Sequence, residues 1–136
     1  MIEFFVAGKP VGKGRPRFTR SGHTYTPERT RQYEKAVAGE CRKAMKGKPP
    51  SDLPQHVSIG VSLMPPKSWS KAKRAKALHG EIKPGKPDID NFLKAILDGC
   101  NGIAFVDDSQ VVSVYAIKEY AETEGVRVVI EEECHG

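Results

Sequence analysis

Lys86-Pro87-Asp88-Ile89-Asp90-Asn91-Phe92-Leu93-Lys94-Ala95-Ile96-Leu97-Asp98 is the stretch on which the fold turns. On a wheel of about 100° per residue, Phe92, Leu93, Ile96, Leu97 and Cys100 fall within an arc of roughly 140°. Asp90, Asn91, Lys94 and Asp98 take the opposite side. The spacing predicts an amphipathic helix over residues 90–99 whose polar face carries an acid, an amide, a base and a second acid. Lys94 follows Asp90 by one turn, the favourable order for an i,i+4 pair. Pro87 biases its predecessor towards extended backbone, so the chain should enter the helix straight. Asp88 and Asp90 are two residues apart, a spacing that points both carboxylates the same way in an extended segment.

Towards the C-terminus, a second acidic pair, Asp107-Asp108, precedes Ser109-Gln110 and a strand over 111–120. Another strand, 125–132, follows across Glu122-Thr123-Glu124-Gly125, and the short link suggests a hairpin. Towards the N-terminus, residues 80–87 form a Gly/Pro-rich loop and Ser68 to about Leu78 a short basic helix. Val57 to Leu63 alternate apolar and small residues, the pattern of a half-buried strand. A longer helix runs from Pro27 to about Met45, with Thr26 as its N-cap and Pro27 in its first turn. Tyr33, Val37, Cys41, Ala44 and Met45 share one face of it. A strand at 2–7 opens the chain, and residues 8–26 are a long basic loop with a short extended piece near His23-Thr24-Tyr25. The expected architecture is α+β: one domain over 1–136, a small mixed sheet of about four strands with helices packed on it.

Charge is split along the chain. Residues 1–87 hold 19 Lys+Arg and 6 Asp+Glu, a net +13, whereas residues 88–136 hold 3 and 11, a net −8, giving +5 for the whole. A basic surface attracts a polyanion by releasing the counterions condensed on its phosphates. Acids beside that surface repel the same polyanion unless a cation stands between them, so the split suggests nucleic acid together with a metal ion. The competing account is that the two halves fold together and pair their charges. Cys41, Cys100 and Cys134 are too far apart for a Cys-x-x-Cys site or a disulfide framework, and His23, His56, His79 and His135 show no metal-ligand spacing. No apolar run approaches the roughly 20 residues of a membrane span. The opening residues lack the features of a signal peptide, which leads to the expectation of a cytosolic protein.

The two acidic sites carry the chemistry. Adjacent residues entering a strand point to opposite faces, so one of Asp107 and Asp108 should join Asp88 and Asp90, and spacing alone leaves the choice open. Three carboxylates suit a hard cation such as Mg²⁺, which takes oxygen ligands and accepts substrate phosphates. Lys94 can neutralise charge on a reacting phosphate, and Asn91 can orient a carboxylate or a water. Each residue also has a plainer role: Asp88 or Asp90 as a helix N-cap, Asp107-Asp108 as a turn, and Lys94 and Asp98 as a solvated helix face. Lys9, Lys13, Arg15, Arg17 and Arg20 on the long loop are candidate phosphate contacts, as are Lys71, Lys73, Arg74 and Lys76 around Trp69. Trp69 can stack on an unpaired base or simply pack its helix on the core.

The pattern Asp88-x-Asp90-Asn91-x-x-Lys94, followed by Leu97-Asp98, Asn101-Gly102-Ile103 and Asp107-Asp108-x-Gln110-Val111, resembles the signature of RusA-type Holliday junction resolvases. The likeness covers roughly residues 55–132, with an echo in the first strand and first helix. It implies a divalent-metal-dependent endonuclease that cuts branched DNA such as a four-way junction. The implied ligands for Mg²⁺, with Mn²⁺ as the alternative, are Asp88, Asp90 and Asp108; Lys94 is the essential lysine and Asp107 a neighbour. It also implies a homodimer, which suits a near-two-fold junction that needs two matched cuts. The chain departs from the shorter members in the loop at 8–25, in the basic stretch at 66–86, and in Phe92 where a leucine is usual. Two other functions fit the residues less fully: a non-catalytic basic module that binds nucleic acid, and a metal-dependent enzyme acting on small phosphorylated molecules.

Overall fold

The computed structural model describes residues 1–14, 17–25 and 27–133. Strand β1 (Ile2–Ala7) is followed by a two-residue ribbon, β2 (Arg17–Phe18) and β3 (Thr24–Tyr25). Then come helix α1 (Glu28–Met45), strand β4 (Gln55–Leu63), and helices α2 (Lys71–Leu78) and α3 (Ile89–Cys100). A 3-10 turn (Asp108–Gln110) leads into β5 (Val111–Tyr120), and β6 (Gly125–Glu132) closes the sheet. Four strands lie in the order β1-β6-β4-β5. β4 and β5 run parallel, and the other neighbours are antiparallel. The sheet is therefore mixed, and the fold is α+β as the sequence pattern predicts.

One expectation is overturned. β5 and β6 are consecutive but form no hairpin, because β4 lies between them and pairs with both. On its core-facing side β4 presents Gln55, Val57, Ile59 and Val61, all buried. A strand this apolar gains most when both of its edges are hydrogen-bonded inside the sheet. The link over 121–124 has only to cross two strand spacings, about 10 Å, well within the reach of four extended residues. Ala121 N–H donates to Leu63 O at 2.8 Å as the link passes the end of β4.

The helix boundaries also shift slightly, for identifiable reasons. Pro27 takes the N-cap position of α1, one residue before the helical run; Thr26, expected to cap it, lies outside the described residues. Helix α2 begins only at Lys71, because the Ser70 hydroxyl caps it by accepting from Lys73 N–H at 3.2 Å. The sequence 17–25, read as a loop with one extended piece, forms the small β2–β3 ribbon.

The core lies between one sheet face and helices α1 and α3. Phe4, Val6, Val57, Ile59, Val61, Val126, Val128 and Ile130 pack with Tyr33, Val37 and Cys41 of α1 and with Phe92, Ile96 and Cys100 of α3. The helices touch most closely at Gly99, where an added Cβ would lie 2.7 Å from Val37 Cβ and 3.0 Å from Glu34 O. Glycine lets the two backbones approach, and so fixes how α3 presents its outer face. β5 is an edge strand, and Val112, Val114, Tyr115 and Ile117 along it are exposed. No described helix is long and apolar enough to cross a membrane.

Candidate active site

Helix α3 carries the polar stripe that its periodicity predicts. Asp90 and Lys94 are exposed, and Asn91 and Asp98 are half-buried. The helix begins one residue earlier than expected, at Ile89, with Asp88 at the N-cap in extended conformation. Asp88 and Asp90 therefore do not share an extended segment; a helical start separates them. Asp88 occupies a capping position, but its side chain makes no capping hydrogen bond. Its carboxylate lies 3.6 Å from Lys86 Nζ. Among the described residues the Asp90 carboxylate has no hydrogen-bond or ion-pair partner.

The approach to Asp88 is held from two sides. Lys118 of β5 donates through Nζ to Gly85 O and to Pro87 O, the latter at 3.0 Å. The basic loop runs over the other side. An added Cβ at Gly12 would lie 3.1 Å from Pro87 Cβ and 3.3 Å from Asn91 Cβ, and Lys13 N–H donates to Asn91 O at 2.9 Å. A side chain at this position would press on both residues, which would have to give by a few tenths of an ångström.

The second acidic pair enters a 3-10 turn rather than passing straight into a strand, and the turn separates the two acids. Asp107 Oδ2 accepts from Ser109 N–H at 3.2 Å, while Gln110 Oε1 accepts from Asp107 N–H at 2.8 Å. This reciprocal arrangement is a capping box. The hydrogen bonds from Ser109 hold the Asp107 carboxyl below the usual carboxylate range. Gln110 Nε2 then donates to Ser51 O (2.8 Å) and Leu53 O (2.9 Å), tying the turn to the lead-in of β4. Asp107 is thus committed to the turn. Asp108 instead faces α3, with its Oδ2 3.6 Å from Lys94 Nζ.

Charges alternate along a line from α1 across α3 to this turn. Lys13 Nζ lies 2.5 Å from Glu34 Oε1 and 3.0 Å from Asp98 Oδ2; Lys94 Nζ lies 3.1 Å from Asp98 Oδ1 and 3.6 Å from Asp108. The hydrogen bond and charge of Asp98, helped by the charge of Asp108, raise the Lys94 pKa, so Lys94 is firmly cationic. For Lys13, burial opposes the charge, but its bonds to Glu34 and Asp98 outweigh that and leave its pKa raised.

Carboxylate oxygens are the donors that suit a hard divalent cation. Their arrangement is a line along α3: Asp88 at its start, Asp90 in its first turn, and Asp108 against Lys94 about 6 Å further along the axis. Among the described residues, no three His, Cys, Asp or Glu side chains are gathered into a group that could hold a metal ion. Mutual repulsion keeps unscreened carboxylates apart; Lys86 compensates Asp88, and Lys94 compensates both Asp98 and Asp108.

The basic residues divide by role. Lys9 and Arg20 are exposed, Arg17 stands in β2, and Arg15 lies outside the described residues. Lys13 is bound to Glu34 and Asp98 and serves as a clasp between loop and helices. On α2, Lys71, Lys73 and Lys76 are exposed and Arg74 is half-buried. Trp69 packs edge-on against Tyr120 (5.5 Å between ring centroids, 70° between planes), with Lys73 Nζ 4.1 Å above its ring. The roles of Lys118 and Gln110 were not foreseen from the sequence. The glutamine could have been found from the Asp-x-x-Gln spacing, which marks a capping box.

The profile of the Endodeoxyribonuclease RusA family matches residues 7–131, which take in the polar stripe of α3, the Asp107–Gln110 turn, β4, β5 and nearly all of β6. This chain belongs to the RusA endodeoxyribonuclease family. It is also 37% identical over 139 residues to the uncharacterized protein YqaN of Bacillus subtilis (strain 168), an alignment covering 96% of each chain. Membership of the RusA family makes the chain an endodeoxyribonuclease. The outer face of α3, which among the described residues is the helical surface that sets acids and an exposed cation against a second acidic turn, is its candidate active site.

Proposed function

We propose that this RusA-family protein is a Mg²⁺-dependent, structure-selective endonuclease that resolves four-way DNA junctions, with Mn²⁺ able to replace Mg²⁺. The observation that carries this is the meeting of Lys94 with Asp108, 14 residues further along the chain, on the helix that also carries Asp90, unpartnered among the described residues, and Asp88, which makes no capping hydrogen bond. Asp88, Asp90 and Asp108 would hold the cation, whose chemistry when bound is to polarise a phosphoryl oxygen and ease deprotonation of water. Lys94, kept cationic by Asp98, stabilises negative charge building on the attacked phosphate. Asp107 keeps Asp108 turned towards α3, and Asn91, at the start of the stripe, orients the acids on either side of it. Lys9, Arg15, Arg17 and Arg20 on the loop, with Lys71, Lys73, Arg74 and Lys76 on α2, steer the phosphate backbone; Lys13 acts through its clasp.

Two matched cuts across a near-two-fold junction call for two copies of the site. The exposed apolar edge of β5 is a surface suited to self-association, and a single domain over 1–136 carries one site per copy. A homodimer then gives a sedimentation mass twice that of the 15.0 kDa chain.

The test is cleavage of four-way, flapped and linear DNA with and without Mg²⁺. Four-way junctions should be cut in Mg²⁺ and remain whole in EDTA. Asp90→Asn should abolish cutting while junction binding in Ca²⁺ persists; full activity in that variant would refute the assignment. Salt-sensitive binding with no metal-dependent nicking of any substrate would favour a purely binding role.

A further inference from the structure

A cleft of about 900 Å³ opens beside Asp88. Its volume falls at the upper end of sites that accept small organic groups, about 300–1,000 Å³. Val11, Leu63, Met64 and Tyr120 contribute apolar and aromatic surface, and five prolines, including Pro87, complete the walls. Lys9, Arg29 and Lys86 stand among its lining residues, with Glu124 as the one acid. Lys86 links the cleft directly to the candidate site through its 3.6 Å contact with Asp88. Among the described residues Lys9 and Arg29 have no ion-pair partner, so both charges are free to meet an anion. Edge-on packing of Trp69 holds the Tyr120 ring in place.

Apolar walls with an aromatic ring, edged by unpaired cations, match one chemistry: a flat base attached to a phosphate. Stacked duplex cannot enter, since its bases are enclosed by its own backbone. We propose that this cleft receives an unstacked nucleotide next to the cut phosphate, with the base against Tyr120 and the prolines and its phosphates on Lys9, Arg29 and Lys86. The proposal rests on the nuclease function above and adds the basis of its selectivity. Unstacking a base costs a few kcal/mol in a duplex and least where pairing is already lost. A cleft that must be filled therefore favours branch points over continuous duplex.

The experiment places 2-aminopurine, a base that fluoresces when unstacked, at nucleotides flanking the branch of a four-way junction, in Ca²⁺ to prevent cutting. Wild-type protein should raise the fluorescence several-fold for at least one position. Met64→Trp, which puts bulk into the cleft from an exposed position, and Arg29→Glu, which reverses a charge on its edge, should each remove most of that rise. Met64→Trp should bind linear duplex within about twofold of wild type; Arg29→Glu, which loses a cation, is compared at protein concentrations that saturate the junction. No rise with wild-type protein, or an undiminished rise in both variants, overturns the proposal. Should Met64→Trp misfold, as read by circular dichroism, the exposed Arg29→Glu decides alone. Failure of wild-type protein to cut any branched DNA in Mg²⁺ or Mn²⁺ would count against the nuclease function, while the fluorescence still decides the cleft.

Discussion

The two faces of α3 obey different physics. The inner face buries Phe92, Ala95, Ile96, Gly99 and Cys100 against α1 and the sheet, in a core that also holds Cys41. The outer face leaves Asp90 and Lys94 in solvent and holds Asp98 and Asp108 by ion pairs. One face is fixed by close packing, where a single methyl group matters. The other is fixed by charge, where geometry survives substitution but chemistry does not. Changes on the outer face should alter cutting at constant stability, and changes on the inner face should alter stability while the folded fraction still cuts.

The largest expected effect is on the outer face. Asp108→Asn should lower the rate of junction cutting by on the order of 10³-fold, with an unfolding midpoint in urea unchanged from wild type. Asp107→Asn should leave cutting within a few-fold of wild type, because that carboxylate serves the turn; equal losses in both variants would erase the distinction between the two acids. Lys94→Ala should follow with a loss of roughly 10²-fold in kcat, and Lys94→Arg should recover part of it by keeping the charge. On the inner face, Gly99→Ala forces a Cβ within 2.7 Å of Val37 and should cost about 1–3 kcal/mol in urea unfolding. Unchanged stability there would show that α1 and α3 are not locked at this crossing.

The smallest effect tests where the two faces meet. Lys13→Gln removes the cation between Glu34 and Asp98, whose side chains are about one-fifth exposed, and should cost about 1 kcal/mol. The pH dependence has a definite sign. The folded Lys13 pKa lies above its ordinary 10.5, so its stabilisation is complete below that value and is lost as pH rises through the raised one. Wild type and Lys13→Gln should therefore converge in stability only in strongly alkaline solution, as measured by urea unfolding at a series of pH values.

Much of this was legible in the sequence because periodicity reports burial directly. The apolar arc of α3, the face of α1 and the alternation in β4 correspond to buried residues in the structure. Strand order was not legible: a four-residue link is compatible with a hairpin or with passage over one intervening strand, and only competition for the edges of β4 decides between them. The acids were visible as a motif, and the family resemblance implied different roles for Asp107 and Asp108; their spacing alone left the choice open, and its physical basis lies in the capping hydrogen bonds of Asp107 and Gln110. The clasp made by Lys13 was hidden as well, since a lysine in a basic loop looks the same whether it meets a phosphate or a carboxylate 85 residues further on.

Lys118 and Asp108 lie near opposite ends of one strand: Asp108 just before β5 begins, and Lys118 near its end, gripping the carbonyls ahead of Asp88. β5 and α3 thus act as two rulers laid side by side, and together they set the separation of the acids. Both are regular elements of fixed rise per residue, so length added to the surface loops leaves that separation unchanged. Length can therefore change in the parts of these loops that do not touch α3 without retuning the chemistry, whereas one residue gained or lost inside β5 would throw the two ends out of step.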